Sequence, residues 1–318
     1  MKPPYEITKR ILVLYGQILD ALGQCKSLNL AKPEATLRRR NRIKTIHSSL
    51  AIEGNTLDIA QVTALVDNVR VLGPRKEILE VQNAIRAYDS LSAFTAGSIR
   101  DFLRAHGLLM DGLIEHPGEF RRKQVGILKG KEIQHIAPGY AMVPGLMKDL
   151  FGYLKKDDDP GIIKSCVFHY EMEFIHPFED GNGRIGRLWQ TRLLMEVNPI
   201  FEYIPIEEAI RNSQERYYAV LAESDNAGKS TKFIEFMLEA IEESLRKTIG
   251  SAKIPVFDFQ KRADSALASL GDWFDRKAYV SVNKGISEAT ASRDLKRLLL
   301  EGRVESSGTG RMTRYRRR

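Results

Sequence analysis

A run of twelve residues, 176–187, combines the side chains that phosphate chemistry needs. It reads His-Pro-Phe-Glu-Asp-Gly-Asn-Gly-Arg-Ile-Gly-Arg. Its histidine is a side chain that takes up a proton near neutral pH. Its glycines let successive backbone N–H groups point into one concavity, and its two arginines, three residues apart, share one side of a helix. We expect this run to bind a polyphosphate and to activate a nucleophile beside it.

The side chains of this run have separate expected roles. His176 is the candidate base, and Pro177 and Phe178 are expected to stiffen and anchor the turn that holds it. Asp180 lies beside a positive concavity and would repel phosphate unless a cation bridged the two, and Mg²⁺ is the hard cation that does so. A helix is predicted to begin near Arg184 and to direct its N-terminal dipole toward the same concavity.

The run resembles the signature of the Fic (Fic/Doc) family, H-P-F-x-[DE]-G-N-G-R-x-x-R, and matches it at every fixed position. The wider resemblance covers residues 98–227 and includes Gly118-Glu119-Phe120-Arg121. Members of this family transfer AMP from ATP to a hydroxyl side chain of a protein. The resemblance therefore implies a protein adenylyltransferase that releases pyrophosphate and modifies Ser, Thr or Tyr, its own residues included.

The resemblance also implies roles for individual residues. His176 would be the general base, Asp180 would hold Mg²⁺, and Arg187 would contact the γ-phosphate. We expect a further hydrogen bond to phosphate from the side chain of Asn182. The predicted phosphate-binding residues for ATP are Asp180, Gly181, Asn182, Gly183, Arg184, Ile185, Gly186 and Arg187.

A second motif, residues 49–55, resembles the family's inhibitory motif, [ST]-x-x-x-E-[GP]-N, and is called the inhibitory segment below. Its matching positions are Ser49, Glu53, Gly54 and Asn55. The serine and the glutamate are four residues apart and so share one helix face, and the glycine is suited to end that helix. The resemblance implies that Glu53 pairs with Arg187 in the space that the γ-phosphate needs. On this segment alone, a surface carboxylate near a helix end is the alternative.

Two further features concern the target and the adenine. Glycines flanked by β-branched residues predict a small β-hairpin between residues 124 and 143, with a surface loop as the alternative. The hairpin resembles the family's flap, which holds the modified segment of the target by strand addition. The predicted flap residues are Ile127, Leu128, Lys129 and Gly130. Tyr217 and Tyr218, on a later helix, are expected to wall the adenine site, with core aromatics as the alternative.

The rest of the chain predicts a mainly α fold, because apolar residues recur at three- and four-residue intervals through most of the first 250 residues. Residues 1–97 form a predicted N-terminal helical region with the inhibitory helix at about 45–55. Residues 98–250 form a predicted Fic-type helical core with the hairpin flap. Residues 255–318 form a predicted winged helix-turn-helix domain, whose first helix is expected over 261–274.

The positive charge of the chain is concentrated in this last region. Of the net charge of +8, residues 255–318 contribute +6, from 14 lysines and arginines against 8 acidic residues. Ser287 is expected to cap a recognition helix, and a basic wing is expected from residue 308 onward. The region therefore either binds DNA or serves as a dimerisation or target-docking module.

Composition narrows the setting and the function. No run approaches the ~20 apolar residues of a membrane span, and Cys25 and Cys166 lack metal-ligand spacing, so we expect a cytoplasmic protein. The expected function is an autoinhibited, Mg²⁺-dependent protein adenylyltransferase, with ATP, a protein substrate and a second copy of the chain as partners. The alternative is a DNA-binding regulator whose Fic domain senses nucleotide. His176 and Asp180 favour the enzyme, since a sensor needs no base.

Overall fold

The computed structural model describes residues 2–27, 35–129, 132–253, 259–283, 286–308 and 313–317. They fall into two compact units, residues 1–249 and 250–318. The predicted mainly α fold is confirmed. The N-terminal region predicted over 1–97 lies in the same unit as the residues that follow it.

Among the described residues, eleven α-helices and one hairpin begin in the first unit. The helices are α1 (Lys9–Ser27), α2 (Ala35–Ile52), α3 (Ile59–Val66), α4 (Arg75–Asp89), α5 (Ile99–Met110), α6 (Val143–Lys156), α7 (Gly161–Ile175), α8 (Asn182–Val197), α9 (Ile206–Asn212), α10 (Gln214–Ala227) and α11 (Thr231–Lys253). The strands are β1 (Gly126–Lys129) and β2 (Glu132–Ile136).

Two consecutive helices, α7 and α8, form the centre of this unit. Both bury side chains around most of their circumference, as expected for helices enclosed by others. The turn between them is anchored by Phe178, which is fully buried. Its ring lies 5.6 Å from that of Phe102 on α5, which in turn lies 5.2 Å from the ring of Trp189 on α8. This aromatic cluster fixes where the turn leaves the core.

The predicted hairpin is present as an antiparallel pair, so the surface-loop alternative is wrong. Gly126 pairs with Ile136, and the register shifts between Ile127 and Leu128. Gly130 lies outside the described residues, and for the other predicted flap residues only the backbone is described.

Two predicted helix boundaries differ from the structure. The inhibitory helix, predicted at about 45–55, is the last part of the longer α2, which ends at Ile52. Gly54 follows with a φ of 88°, a backbone conformation that glycine adopts without strain. Helix α8 begins at Asn182, two residues before the predicted start, because Gly181 with a φ of 83° is already its N-cap.

The second unit has its own core and topology. Its elements are α12 (Phe259–Ser269), β3 (Trp273–Phe274), α13 (Arg276–Val282), α14 (Glu288–Leu300), β4 (Val304–Ser307) and β5 (Arg314–Arg317). The strands form an antiparallel sheet in the order β3-β5-β4. Ser287 caps α14 as predicted. The helix predicted over 261–274 ends early, because its last two residues pair with β5. The winged-helix assignment stays a prediction.

No helix within these described ranges has both the length and the apolar composition to cross a membrane.

Candidate active site

His176 stands at the end of α7, where the chain turns sharply toward α8. Its φ of 49° is left-handed, which costs a non-glycine residue about 1 kcal/mol. Three backbone contacts hold this conformation. The His176 N–H donates to the Met172 carbonyl at 3.0 Å, the His176 carbonyl accepts from Arg121 Nε at 2.8 Å, and the Arg121 N–H donates to the Pro177 carbonyl at 2.8 Å. These contacts fix the backbone that carries the imidazole of His176.

Arg121 is the residue that ties this turn to the base of the hairpin. Its side chain is buried and also donates to the carbonyls of Lys123, Pro138 and Ile175. Burial lowers the pKa of its guanidinium. Sequence reasoning noted Arg121 only as part of a resembling stretch and gave it no role. Its partners are carbonyl groups up to 55 residues away, for which the sequence carries no signal.

The side chain of Asn182 closes the turn instead of pointing to an anion. Its Oδ1 accepts from the Phe178 N–H and its Nδ2 donates to the Phe178 carbonyl, both at 2.9 Å. The amide is 3% exposed. This differs from the expected hydrogen bond to phosphate, because a partner four residues back in the same turn already uses both ends of the amide.

Gly181 and Gly183 line the anion concavity at positions where a side chain would meet neighbouring atoms. A Cβ atom on Gly181 would lie 2.6 Å from Sδ of Met110, and the φ of 83° would strain any other residue there. A Cβ atom on Gly183 would collide with Oε1 of Glu53. The first backbone N–H groups of α8 lie at this place and lack intrahelical acceptors, which makes the helix start a site for anions.

Asp180 is ionised and half exposed. Burial raises the pKa of its carboxyl, but the Arg184 guanidinium and the Gly181 N–H outweigh that effect, so its pKa lies below the ordinary value. Its Oδ1 accepts from Arg184 at 2.8 Å, and 49% of its side chain is exposed. Arg184 itself is buried and donates also to Glu80, while its Nε has no partner among the described residues.

The donor set suits a cation held jointly with a nucleotide. Within the described parts of the chain, no group of three or more His, Cys, Asp or Glu side chains could hold a metal by itself. Asp180 offers one exposed carboxylate beside the anion concavity. A single carboxylate completed by phosphate oxygens and water is the usual coordination of Mg²⁺. The residues present therefore fit Mg²⁺ bound with ATP.

The predicted ion pair between the inhibitory segment and Arg187 is present. Arg187 Nη2 lies 2.7 Å from Oε1 of Glu53, and the same guanidinium donates to the Ser49 carbonyl at 2.9 Å and to Ser49 Oγ at 3.2 Å. Arg187 is 2% exposed. Burial lowers the pKa of its guanidinium, but Glu53 outweighs this effect and raises it. Arg187 is therefore fully charged and occupied by an internal anion.

The end of α2 is held from α10. The Ile52 carbonyl accepts from Gln214 Nε2 at 3.0 Å and from the Tyr218 hydroxyl at 3.4 Å. Tyr218 is 38% exposed near Glu53 and stays a candidate for the adenine wall. For Tyr217 the structure favours the alternative, a core aromatic. Tyr217 is 1% exposed and packs against Phe233, because neighbouring residues of a helix point in different directions.

His106, which sequence reasoning missed, supports the turn from α5. Its ring stacks on Phe178 with the centroids 3.6 Å apart. Nδ1 accepts from the Gly118 N–H at 2.9 Å, so the other nitrogen, Nε2, carries the proton and donates to the Asp180 carbonyl at 2.9 Å. Burial, aided by the charge of Arg184, lowers the pKa of His106 to about 4. A neutral imidazole therefore positions the backbone of Asp180.

This low pKa predicts acid sensitivity. The unfolded chain binds a proton at His106 near pH 6.5 and the folded chain only near pH 4, so the contribution of His106 is complete above pH 6.5 and is lost as the pH falls to 4. Between pH 6.5 and pH 4, the parent should lose about 3 kcal/mol of unfolding free energy through His106. The variant His106→Gln should lack this loss.

Urea unfolding can be followed by the fluorescence of Trp189 in a Trp273→Phe background, since the chain has only these two tryptophans. His116→Gln is the matched control, because the imidazole of His116 is exposed and should leave the pH dependence unchanged. An equal pH dependence in His106→Gln and the parent would contradict the assignment.

Comparison with known proteins places this geometry in a family. The model of the Fic/DOC family matches residues 96–194. The crystal structure of a Fic family protein from Desulfovibrio desulfuricans G20 superposes with a TM-score of 0.78 at 38% identity, covering 100% of this chain and 98% of that one.

Longer relatives match as well. Protein adenylyltransferase Fic of Drosophila grimshawi is 27% identical over 250 residues, covering 75% of this chain and 49% of the relative. Protein adenylyltransferase fic-1 of Caenorhabditis elegans is 27% identical over 236 residues, covering 70% and 44%. The chain thus spans about half the length of the curated relatives it matches. Since the bacterial structure is matched over nearly its whole length at 38% identity, this chain belongs to the Fic family.

Proposed function

We propose that this chain is a protein adenylyltransferase that transfers AMP from ATP to a Ser, Thr or Tyr hydroxyl, its own residues included, and that Glu53 inhibits it. The observation that carries the proposal is the convergence of His176, Asp180 and the glycine concavity at the start of α8, with both arginines of the run buried beside it. The names of the two animal relatives support the same chemistry.

In the proposed reaction, His176 is the general base. Its Nδ1 lies 3.4 Å from the Glu173 carbonyl and is the donor there, so Nε2 is the atom that takes the proton from the target hydroxyl. The hydroxyl oxygen attacks the α-phosphorus in line. A bond forms from that oxygen to phosphorus, the bond to the bridging oxygen breaks, and pyrophosphate leaves.

Binding and charge neutralisation account for the rest of the catalysis. Backbone N–H groups at the start of α8, with Arg184 and Arg187, would hold the phosphates. Asp180 would hold Mg²⁺, which neutralises phosphate charge when bound. The edge of the hairpin formed by β1 and β2 would align the target segment by strand addition. The protein thus supplies mainly orientation, which can be worth several orders of magnitude in rate.

The transferred group decides between this reaction and its alternatives. With the Glu53→Gly variant and a bacterial lysate, we expect label from ATP marked on the α-phosphate to enter protein, and none from ATP marked on the γ-phosphate. Label from both positions would indicate transfer of a larger part of the nucleotide. Label from the γ-position alone would indicate a kinase. Absence of label with intact ATP binding would favour the nucleotide-sensing regulator.

A role for the second unit is a separate proposal. Its exposed basic side chains on α14 and β5 support binding of DNA through this unit. They are Arg293, Lys296, Arg297, Arg314, Arg316 and Arg317. Docking of a protein target or of a second copy of the chain is the competing use of the same surface.

A further inference from the structure

A third acidic side chain, Glu80 of α4, belongs to the site beside Asp180 and Glu53. Its Oε1 accepts from Arg184 Nη1 at 3.2 Å, and its Oε2 accepts from Asn55 Nδ2 at 2.8 Å. Only 12% of its side chain is exposed. Sequence reasoning gave it no role, because it lies 104 residues from its arginine partner.

Arg184 is shared between two carboxylates that differ in accessibility. Glu80 binds Nη1 from a buried position, and Asp180 binds Nη2 from a side chain that is 49% exposed. Two acceptors on different nitrogens fix the plane of a guanidinium. Of the two, only the exposed Asp180 can exchange Arg184 for a ligand without uncovering a buried charge. Glu80 is therefore the constant partner of Arg184.

We infer that Glu80 is a positioning residue for nucleotide binding, holding Arg184 in place when Asp180 exchanges it for a nucleotide-bound cation. This inference rests on the proposed function. Without Glu80, Asp180 would be the only carboxylate bonded to the guanidinium, and the two would neutralise each other. Both the cation ligand and the phosphate ligand would then be less available to ATP. Glu80 acts through Arg184 and does not itself contact the nucleotide.

The test measures the affinity for ATP with Mg²⁺ by calorimetry, in full-length protein carrying Glu53→Gly and His176→Ala. In this background the internal anion is gone and no transfer consumes the nucleotide. Glu80→Ala should weaken binding about tenfold. Glu80→Gln should weaken it less, about threefold, because the amide oxygen still accepts from Arg184. Glu77→Ala, on the same helix but bonded to Thr56, should leave the affinity unchanged.

A double-mutant cycle separates positioning from a general loss of structure. If Glu80 acts through Arg184, the variant with both Glu80→Ala and Arg184→Ala binds no more weakly than Arg184→Ala alone. Additive losses, or tighter binding in both Glu80 variants because a repelling charge has gone, would overturn the inference and leave the proposed function standing. If the background protein binds no ATP at all, the proposed function fails and this inference fails with it.

Discussion

Glu53→Gly should raise AMP transfer by at least about 100-fold over the unmodified chain. The Glu53 carboxylate holds Arg187 at 2.7 Å in the place proposed for the γ-phosphate. Arg187 is buried whereas 33% of the Glu53 side chain is exposed, so separating the pair should cost no more than about 3–5 kcal/mol, the value typical of a fully buried pair. ATP must meet that cost to displace the carboxylate, whereas in the variant its γ-phosphate replaces the missing anion. A hundredfold corresponds to about 2.7 kcal/mol, which is smaller than this upper bound.

The measurement is the initial rate of label incorporation at saturating ATP, with Glu53→Gln as the companion variant. Glutamine keeps the volume and removes the charge, so an intermediate rate is expected if charge and occupancy both contribute. In the glycine variant Arg187 is left without its anion. ATP with Mg²⁺ should therefore raise the melting temperature of this variant more than that of the parent. A glycine variant no faster than the parent, despite ATP binding, would rule out inhibition by Glu53.

Removal of the imidazole at position 176 should lower transfer by about 10²–10⁴-fold in the Glu53→Gly background, the range typical of a general base. ATP binding should persist, since the phosphates are expected to contact α8 and not the imidazole. Two replacements make the test sharp. His176→Ala removes the base but strains at the φ of 49°, whereas His176→Asn tolerates that conformation and equally lacks a base.

Both replacements should be equally inactive, and His116→Ala, at an exposed position, should be fully active. Activity in the asparagine variant alone would mean that the backbone conformation, not the imidazole, is what the reaction requires. Activity in both would remove His176 from the mechanism. Calorimetric titration with ATP separates either result from a folding defect.

The local geometry of the candidate site could be predicted from the sequence, because residues close in the chain must be close in space. The turn anchored by Phe178 and the glycine concavity follow from types and spacing within twelve residues. The pairing of Glu53 with Arg187 was implied by resemblance only, since nothing in the spacing of residues 134 apart brings them together.

The supporting residues could not be predicted, because each acts across the fold. His106, Arg121 and Glu80 all bond to groups more than fifty residues away. The different burial of Tyr217 and Tyr218 could have been anticipated, because adjacent residues of a helix point in different directions. The early end of α12 could not, because Trp273 and Phe274 form a strand only by pairing with β5.

A methyl group at position 183 would collide with the Glu53 carboxylate. This collision limits which mutations can relieve the proposed inhibition by Glu53. A larger residue at this position would displace the carboxylate, yet it would also fill the space proposed for the nucleotide. Constitutive variants should therefore arise by changes on α2 or its supports and not within the glycine run. Selection in cells for variants with higher transfer activity should therefore yield substitutions on α2 or its supports, and none at Gly183.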